Sequence, residues 1–290
     1  MRYWVFPLLL VIAMLLVSIY SHNQSVIFPE ASAIAVGHWV FQLRVWRRNP
    51  WQIWLMPTLG AIVGISVNHL AIPITYREWT SITIILILLY VFQSRVSPAI
   101  SAGILPIVLG VHSWLYVISV SVLTFAIMFN TLSKPKDDIP PPVQLSLFRR
   151  SLFAIVSMTW MFIWNDLGYS AYVMPPLLVA IYEAFHEQDL QHRVILKRSI
   201  ILTAAAVLGT LLFIILPHHM LILGVIAISV TLVLTHVFRV HLIPAFAISL
   251  LPIVIHVTHL WGFPLSVLLS SYCMFFMVWF LNRVRNRVLS

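Results

Sequence analysis

Cysteine occurs once in 290 residues, at Cys273. That excludes a disulfide framework and a cysteine-built metal centre. Charge is also scarce: Asp, Glu, Lys and Arg make up 9% of the chain, against about 25% in an ordinary soluble domain. Only eight of those residues are acidic, and they form no paired-carboxylate pattern. Nine glycines include no GxxxxGK[ST] loop to cradle a phosphate. The twelve histidines show neither HExxH nor Cys/His ligand spacing, so no metal is expected. Without a nucleophile constellation or a cofactor motif, the chain reads as neither an enzyme nor a cofactor carrier, and no residue is assigned a catalytic role.

What remains is apolar. Hydrophobic residues are 61% of the chain and aromatic residues 13%, including eleven tryptophans. This composition predicts an all-α, polytopic transmembrane helical bundle whose first partner is the lipid bilayer, with aromatic side chains at its interfaces. Apolar stretches predict membrane segments over 3–20, 26–41, 53–70, 79–92, 98–110 and 114–132. A second series covers 152–164, 173–185, 200–216, 220–238, 244–256 and 260–281. Residues 72–78 read as a turn and 133–150 as a polar, proline-stiffened linker. The expected organisation is a first transmembrane repeat over 1–132, a cytoplasmic linker over 133–150 and a second repeat over 151–290.

The net charge of +9 follows the same pattern. With twelve crossings and a cytoplasmic N-terminus, sixteen of the seventeen Lys and Arg fall on one side, and only Arg77 on the other. The positive-inside rule makes that side cytoplasmic. The chain is therefore expected to have both termini in the cytoplasm. The charge then needs no nucleic acid partner.

The sequence also repeats. Residues 97–111, SPAISAGILPIVLGV, return as 243–257, IPAFAISLLPIVIHV, displaced by 146 with no gap. Pro98, Ala99, Leu105, Pro106, Ile107, Val108 and Val111 meet identical residues in the second copy. Pro29 and Pro175 stand at the same displacement, and GAIVG at 60–64 faces AAVLG at 205–209 with a one-residue slip. An internal duplication is expected, with two parallel-oriented repeats of about six membrane segments each. The fifth segments are short and open on proline, so they are expected to be short or broken helices. Gly60 and Gly64 form a GxxxG face on which another helix can approach closely.

This pattern resembles the HPP family of small membrane proteins: a Pro-Pro pair opening one helix, a glycine in the next, then His-Pro-Pro-Ala followed by Leu-Pro. The matching residues are Pro175-Pro176, Gly209, Pro244-Ala245 and Leu251-Pro252 in the second half. In the first half they are Pro29, Gly64, Pro98-Ala99 and Leu105-Pro106. The family's histidine is replaced by Ser97 and Ile243, each before a single proline. Some members are implicated in nitrite transport, so the resemblance implies a transporter or channel for a small anion.

On this reading the anion site lies between the two repeats. Helices that open on proline inside a membrane point unpaired N–H groups at a solute, which is a ready anion site. Pro98, Pro106, Pro175, Pro176, Pro244 and Pro252 mark these segments, with Glu30 as a gating or coupling carboxylate. His256, like His112, is a candidate proton relay. Glu183 is expected to pair with Arg193 or Lys197, and Asn165-Asp166 to cap a helix. Two other functions fit: an exporter of aromatic or amphipathic organic acids, and a non-transporting subunit that binds a partner through the GxxxG face or the linker. Homo-oligomers fit each of these.

Overall fold

A computed structural model describes residues 2–132, 144–187, 190–255 and 261–289, with side chains from residue 3 to residue 283. Every regular element among them is helical. In chain order, α1 (Arg2–Ser21) ends in a 3-10 turn at Gln24–Val26. The buried α2 (Glu30–Trp39) and the short α3 (Arg44–Arg48) follow. Next come α4 (Trp51–Asn68), α5 (Ile74–Val91), α6 (Pro98–Val108) and α7 (Leu115–Leu132). The second half holds α8 (Leu147–Asp166), α9 (Pro175–Ala184), α10 (His192–Ile215) and α11 (Met220–Val237). It closes with α12 (Pro244–Leu250), which runs into a 3-10 turn at Leu251–Ile253, and α13 (Gly262–Leu289).

Six helices, α1, α5, α8, α10, α11 and α13, are long and apolar enough to cross a membrane. They carry outward-facing apolar side chains such as Ile87, Ile155, Val233 and Phe280, each more than half exposed. The chain is thus an all-helical, multi-pass membrane protein by length and composition. The short helices sit inside this set: α2 and α12 are buried throughout, and α6 from Pro98 to Ile107.

Three expectations are corrected. The segments at 26–41 and 173–185 are not full spans. Their helices have ten residues each, about 15 Å at 1.5 Å per residue, against a hydrocarbon core of about 30 Å. Pro29 and Pro175 fix those starts, and Met174 before α9 is left-handed at φ 50°, so neither helix extends upstream. Twelve full-length crossings therefore do not describe the chain. Second, residues 72–78 are not all turn: α5 begins at Ile74, after Pro73, and takes in Glu78, which is fully buried. Third, α8 begins at Leu147 behind Ser146, whose side chain accepts from the Arg149 N–H. Arg149 and Arg150 thus belong to a helix rather than to the linker, whose residues 133–143 lie outside the described residues.

Packing at the centre depends on glycine. A Cβ at Gly60 would lie 2.4 Å from the Ala99 carbonyl oxygen, and one at Gly64 would lie 2.3 Å from that of Gly103. The GxxxG face is therefore filled by α6 of the same chain and is not free for a partner. In the second half a Cβ at Gly209 would lie 2.3 Å from the Ser249 carbonyl oxygen, with Pro252 next to it as Pro106 is to Gly64. Close backbone approach of this kind replaces the hydrophobic drive that helices lack inside a bilayer.

The two proline-interrupted helices meet their missing hydrogen bond differently. Pro106 has no N–H for the Ala102 carbonyl, and the buried Tyr116 hydroxyl donates to that oxygen at 3.0 Å. Helix α6 continues past its proline to Val108. The position 146 residues after Tyr116 is Gly262, which has no hydroxyl. There α12 stops at Leu250 and tightens into the 3-10 turn containing Pro252.

Contacts between the halves are exchanged in pairs. Helix α1 packs on α11 and α5 on α8, while α6 packs on α9 and α12 on α2.

Candidate functional site

A cavity of about 240 Å³ opens where four connecting segments converge. Leu43, Val45 and Trp46 come from the α2–α4 connection, Arg95 and Ser97 from the start of α6, and Tyr182, Glu183, His186 and Glu187 from the end of α9. His241 and Ile243 precede α12. Both halves of the chain contribute. Ser97 and Ile243 are the residues immediately before Pro98-Ala99 and Pro244-Ala245.

The polar groups are few and specifically placed. Ser97 donates to Glu183 Oε1 at 2.8 Å, tying α6 to α9. This serine, rather than Arg193 or Lys197, is the partner the structure gives Glu183. The ion pair nearby is Arg198 with Glu187, at 2.6 Å. Burial pushes the Arg95 guanidinium below the usual arginine value, with Tyr182 and Glu183 acting in the opposite direction. It remains a cation, because a guanidinium is not deprotonated in proteins.

His186 completes the wall. Its Nδ1 lies 3.0 Å from the Tyr182 carbonyl oxygen. A carbonyl only accepts, so Nδ1 carries the proton. Nε2 is then a bare acceptor, buried with no hydrogen-bond partner. Burial and then the Arg95 charge push the His186 pKa down to about 4, against the opposing hydrogen bond to Tyr182. The ring is neutral at physiological pH. The cavity is therefore lined by one guanidinium residue, one neutral imidazole and Ser97, the residue just before α6.

The residues singled out from sequence are spread around this cavity. Pro98 and Pro244 are buried directly behind its wall. Pro106 and Pro252 lie deeper, against Gly64 and Gly209. Pro175 and Pro176 start α9, at the opposite end from Glu183, about 12 Å away along the helix. Glu30 is 2% exposed, accepts a hydrogen bond from Ser101 through Oε1, and leaves Oε2 without a partner. It does not line the cavity. His112 packs edge-on to His69, and His256 lies outside the described residues. Asn165 donates to Glu78 Oε2 at 2.6 Å, so it joins α8 to α5. Among the described residues no group of three His, Cys, Asp or Glu is placed to hold a metal ion.

Arg95, Tyr182 and His186 were missed from sequence. One signal was available: Arg95 stands two residues before Ser97-Pro98, where a cation next to a helix N-terminus favours a bound anion. His186 had no such signal, because its bare nitrogen follows from a tertiary contact. No family model, curated protein or solved structure matches this chain.

Proposed function

We propose that the chain is a bacterial inner-membrane transporter or channel for a small anion, with its binding site between two duplicated halves and its termini in the cytoplasm. The observation that carries this reading is the meeting of Arg95, Ser97 and a neutral His186 on one cavity wall. Arg95 supplies the charge. The first turn of α6 offers no free donor, since Pro98 has no N–H and those of Ala99 and Ile100 already bond to the Val96 and Ser97 carbonyls. It adds only the favourable end of the helix dipole. An anion seated beside His186 raises the proton affinity of Nε2, so anion and proton are taken up together. The HPP resemblance makes nitrite the first solute to try. The duplication is supported by the matching glycine–carbonyl crossings at Gly64 and Gly209 and by the exchanged helix contacts. The orientation is supported by the cavity itself, since segments around residues 44, 95, 187 and 241, all expected on the cytoplasmic side, converge there.

Uptake of nitrite into proteoliposomes tests this. We expect uptake driven by an acid-outside gradient, a loss of at least about tenfold in Arg95→Gln, the ratio that about 1.4 kcal/mol of lost anion binding represents, and altered pH dependence in Glu30→Gln. Unchanged uptake in Arg95→Gln overturns the site. A second solute class is favoured by the apolar part of the wall. Leu43, Val45, Trp46 and Ile243 suit the body of an aromatic or amphipathic carboxylate, so benzoate is the parallel substrate.

A further inference from the structure

A second groove, of about 190 Å³, lies between α5 and α8 and shares no lining residue with the cavity above. One wall is Thr83, Leu86, Ile87 and Tyr90, and the other is Leu147, Arg150, Ser151 and Ala154. Both sets follow i, i+3, i+4, i+7 spacing, so each is a single helical stripe. Seven residues of rise make the groove about 10 Å long. At its inner end Trp79 Nε1 donates to the Met158 carbonyl at 3.1 Å and joins the two helices. Its mouth is at the last turn of α5 and the first turn of α8, where Ile87, Tyr90 and Leu147 are 55%, 45% and 66% exposed.

Arg150 is the one charged residue lining this groove. It is only 6% exposed, yet Nε and Nη1 have no hydrogen-bond partner. Nη2 donates to Gln144 at 3.0 Å, and the guanidinium lies over the Tyr90 ring at 4.6 Å. A buried guanidinium with two idle donors is costly unless an anion completes it. The first turn of the 20-residue α8 adds a favourable field for negative charge.

We infer that this groove holds an anionic phospholipid. A phosphate oxygen takes an idle donor of Arg150, Nε or Nη1, and the upper part of an acyl chain lies between the two stripes. Two features of the groove favour a lipid over a free anion. The groove opens sideways among exposed apolar side chains, and its single charge sits at its mouth, where helices leave the hydrocarbon. A bound lipid would bridge α5 and α8, which come from different halves of the chain.

The test is lipid retention by the full chain, purified in detergent with equal phosphatidylglycerol and phosphatidylcholine and read by native mass spectrometry. Wild type is expected to retain phosphatidylglycerol at least tenfold over phosphatidylcholine. Arg150→Gln should lose that preference and Arg150→Lys keep most of it. Ala154→Phe, which fills the inner end and spares Arg150, should lower retention of the diacyl lipid. Equal retention of both lipids by wild type overturns the inference. So does an unchanged preference in a folded Arg150→Gln, or complete displacement by millimolar inorganic phosphate, which would mark an ion site without a lipid chain.

Discussion

Ser97 and Ser101 stand one turn apart on α6, and each donates to a carboxylate from a different half of the chain. Ser97 serves Glu183 of α9 and Ser101 serves Glu30 of α2. Ser97 lines the cavity, and Ser101 and Glu30 lie in the core. Two hydroxyl–carboxylate pairs thus step from the cavity wall inward along one helix face.

The outer step carries the first prediction. Ser97→Ala removes the donor to Glu183 Oε1, and a typical intramolecular hydrogen bond contributes about 0.5–1.5 kcal/mol. We expect a lower thermal unfolding midpoint in detergent for Ser97→Ala and a near-normal one for Ser97→Thr. Equal midpoints for all three proteins would show that the tie between α6 and α9 contributes nothing.

Tyr116→Phe tests the proline in α6. The substitution leaves the ring in place and deprives the Ala102 carbonyl of the donor that replaces the missing Pro106 N–H. An orphaned buried carbonyl costs about 1–3 kcal/mol. Thermal unfolding should register that loss. Tyr116→Phe combined with Pro106→Ala should recover much of it, because the backbone then supplies the N–H itself.

Gly64→Ala and Gly209→Ala test the central crossings. Each new Cβ meets a backbone oxygen at 2.3 Å, and backbone yields far less readily than a side-chain end. Overpacking of this kind costs about 1–3 kcal/mol or more. Gly224→Ala is the comparison, because its nearest neighbour is the Leu15 Cδ1 methyl at 2.5 Å, which can rotate away. We expect the first two variants to lose folded yield, judged by size-exclusion profile, and Gly224→Ala to lose much less.

His186 gives a pH prediction with a definite sign. Its folded pKa of about 4 lies below the ordinary 6.5, so the unfolded chain binds the proton more tightly. Stability from this group is complete above about pH 6.5 and falls as pH drops toward 4. His186→Gln should flatten that part of the stability–pH curve. Saturating anion should flatten it too, because a negative charge next to the ring raises the folded pKa toward 6.5 and lets the folded form hold the proton as well. An unchanged curve in His186→Gln would assign the acid sensitivity to other groups.

Much of the architecture was legible before the structure. Long apolar runs gave α1, α5, α8, α10, α11 and α13, since a bilayer leaves helices few alternatives. The prolines at 98, 175 and 244 marked helix starts because their rings fix φ and lack a donor. Glu78 was misread because a carboxylate near Pro73 looks like loop chemistry. Its burial depends on Asn165, 87 residues away. The cavity was hidden for the same reason: Arg95, His186 and Trp46 meet only after four connections fold together. Arg150 looked like linker charge, and only its depth in the groove distinguishes it from Arg149 next to it.

The paired exchange in which α1 lies on α11 while α5 lies on α8 has a consequence for biogenesis. Helix α1 leaves the ribosome some two hundred residues before α11 and must hold its place until that helix arrives to cover its flank. A copy that meets its neighbour's late helix before its own would close just as well, giving an interlocked dimer. Expressing residues 1–132 and 144–290 as separate chains should therefore still yield the assembled protein, because α1 on α11, α5 on α8, α6 on α9 and α12 on α2 already join the halves.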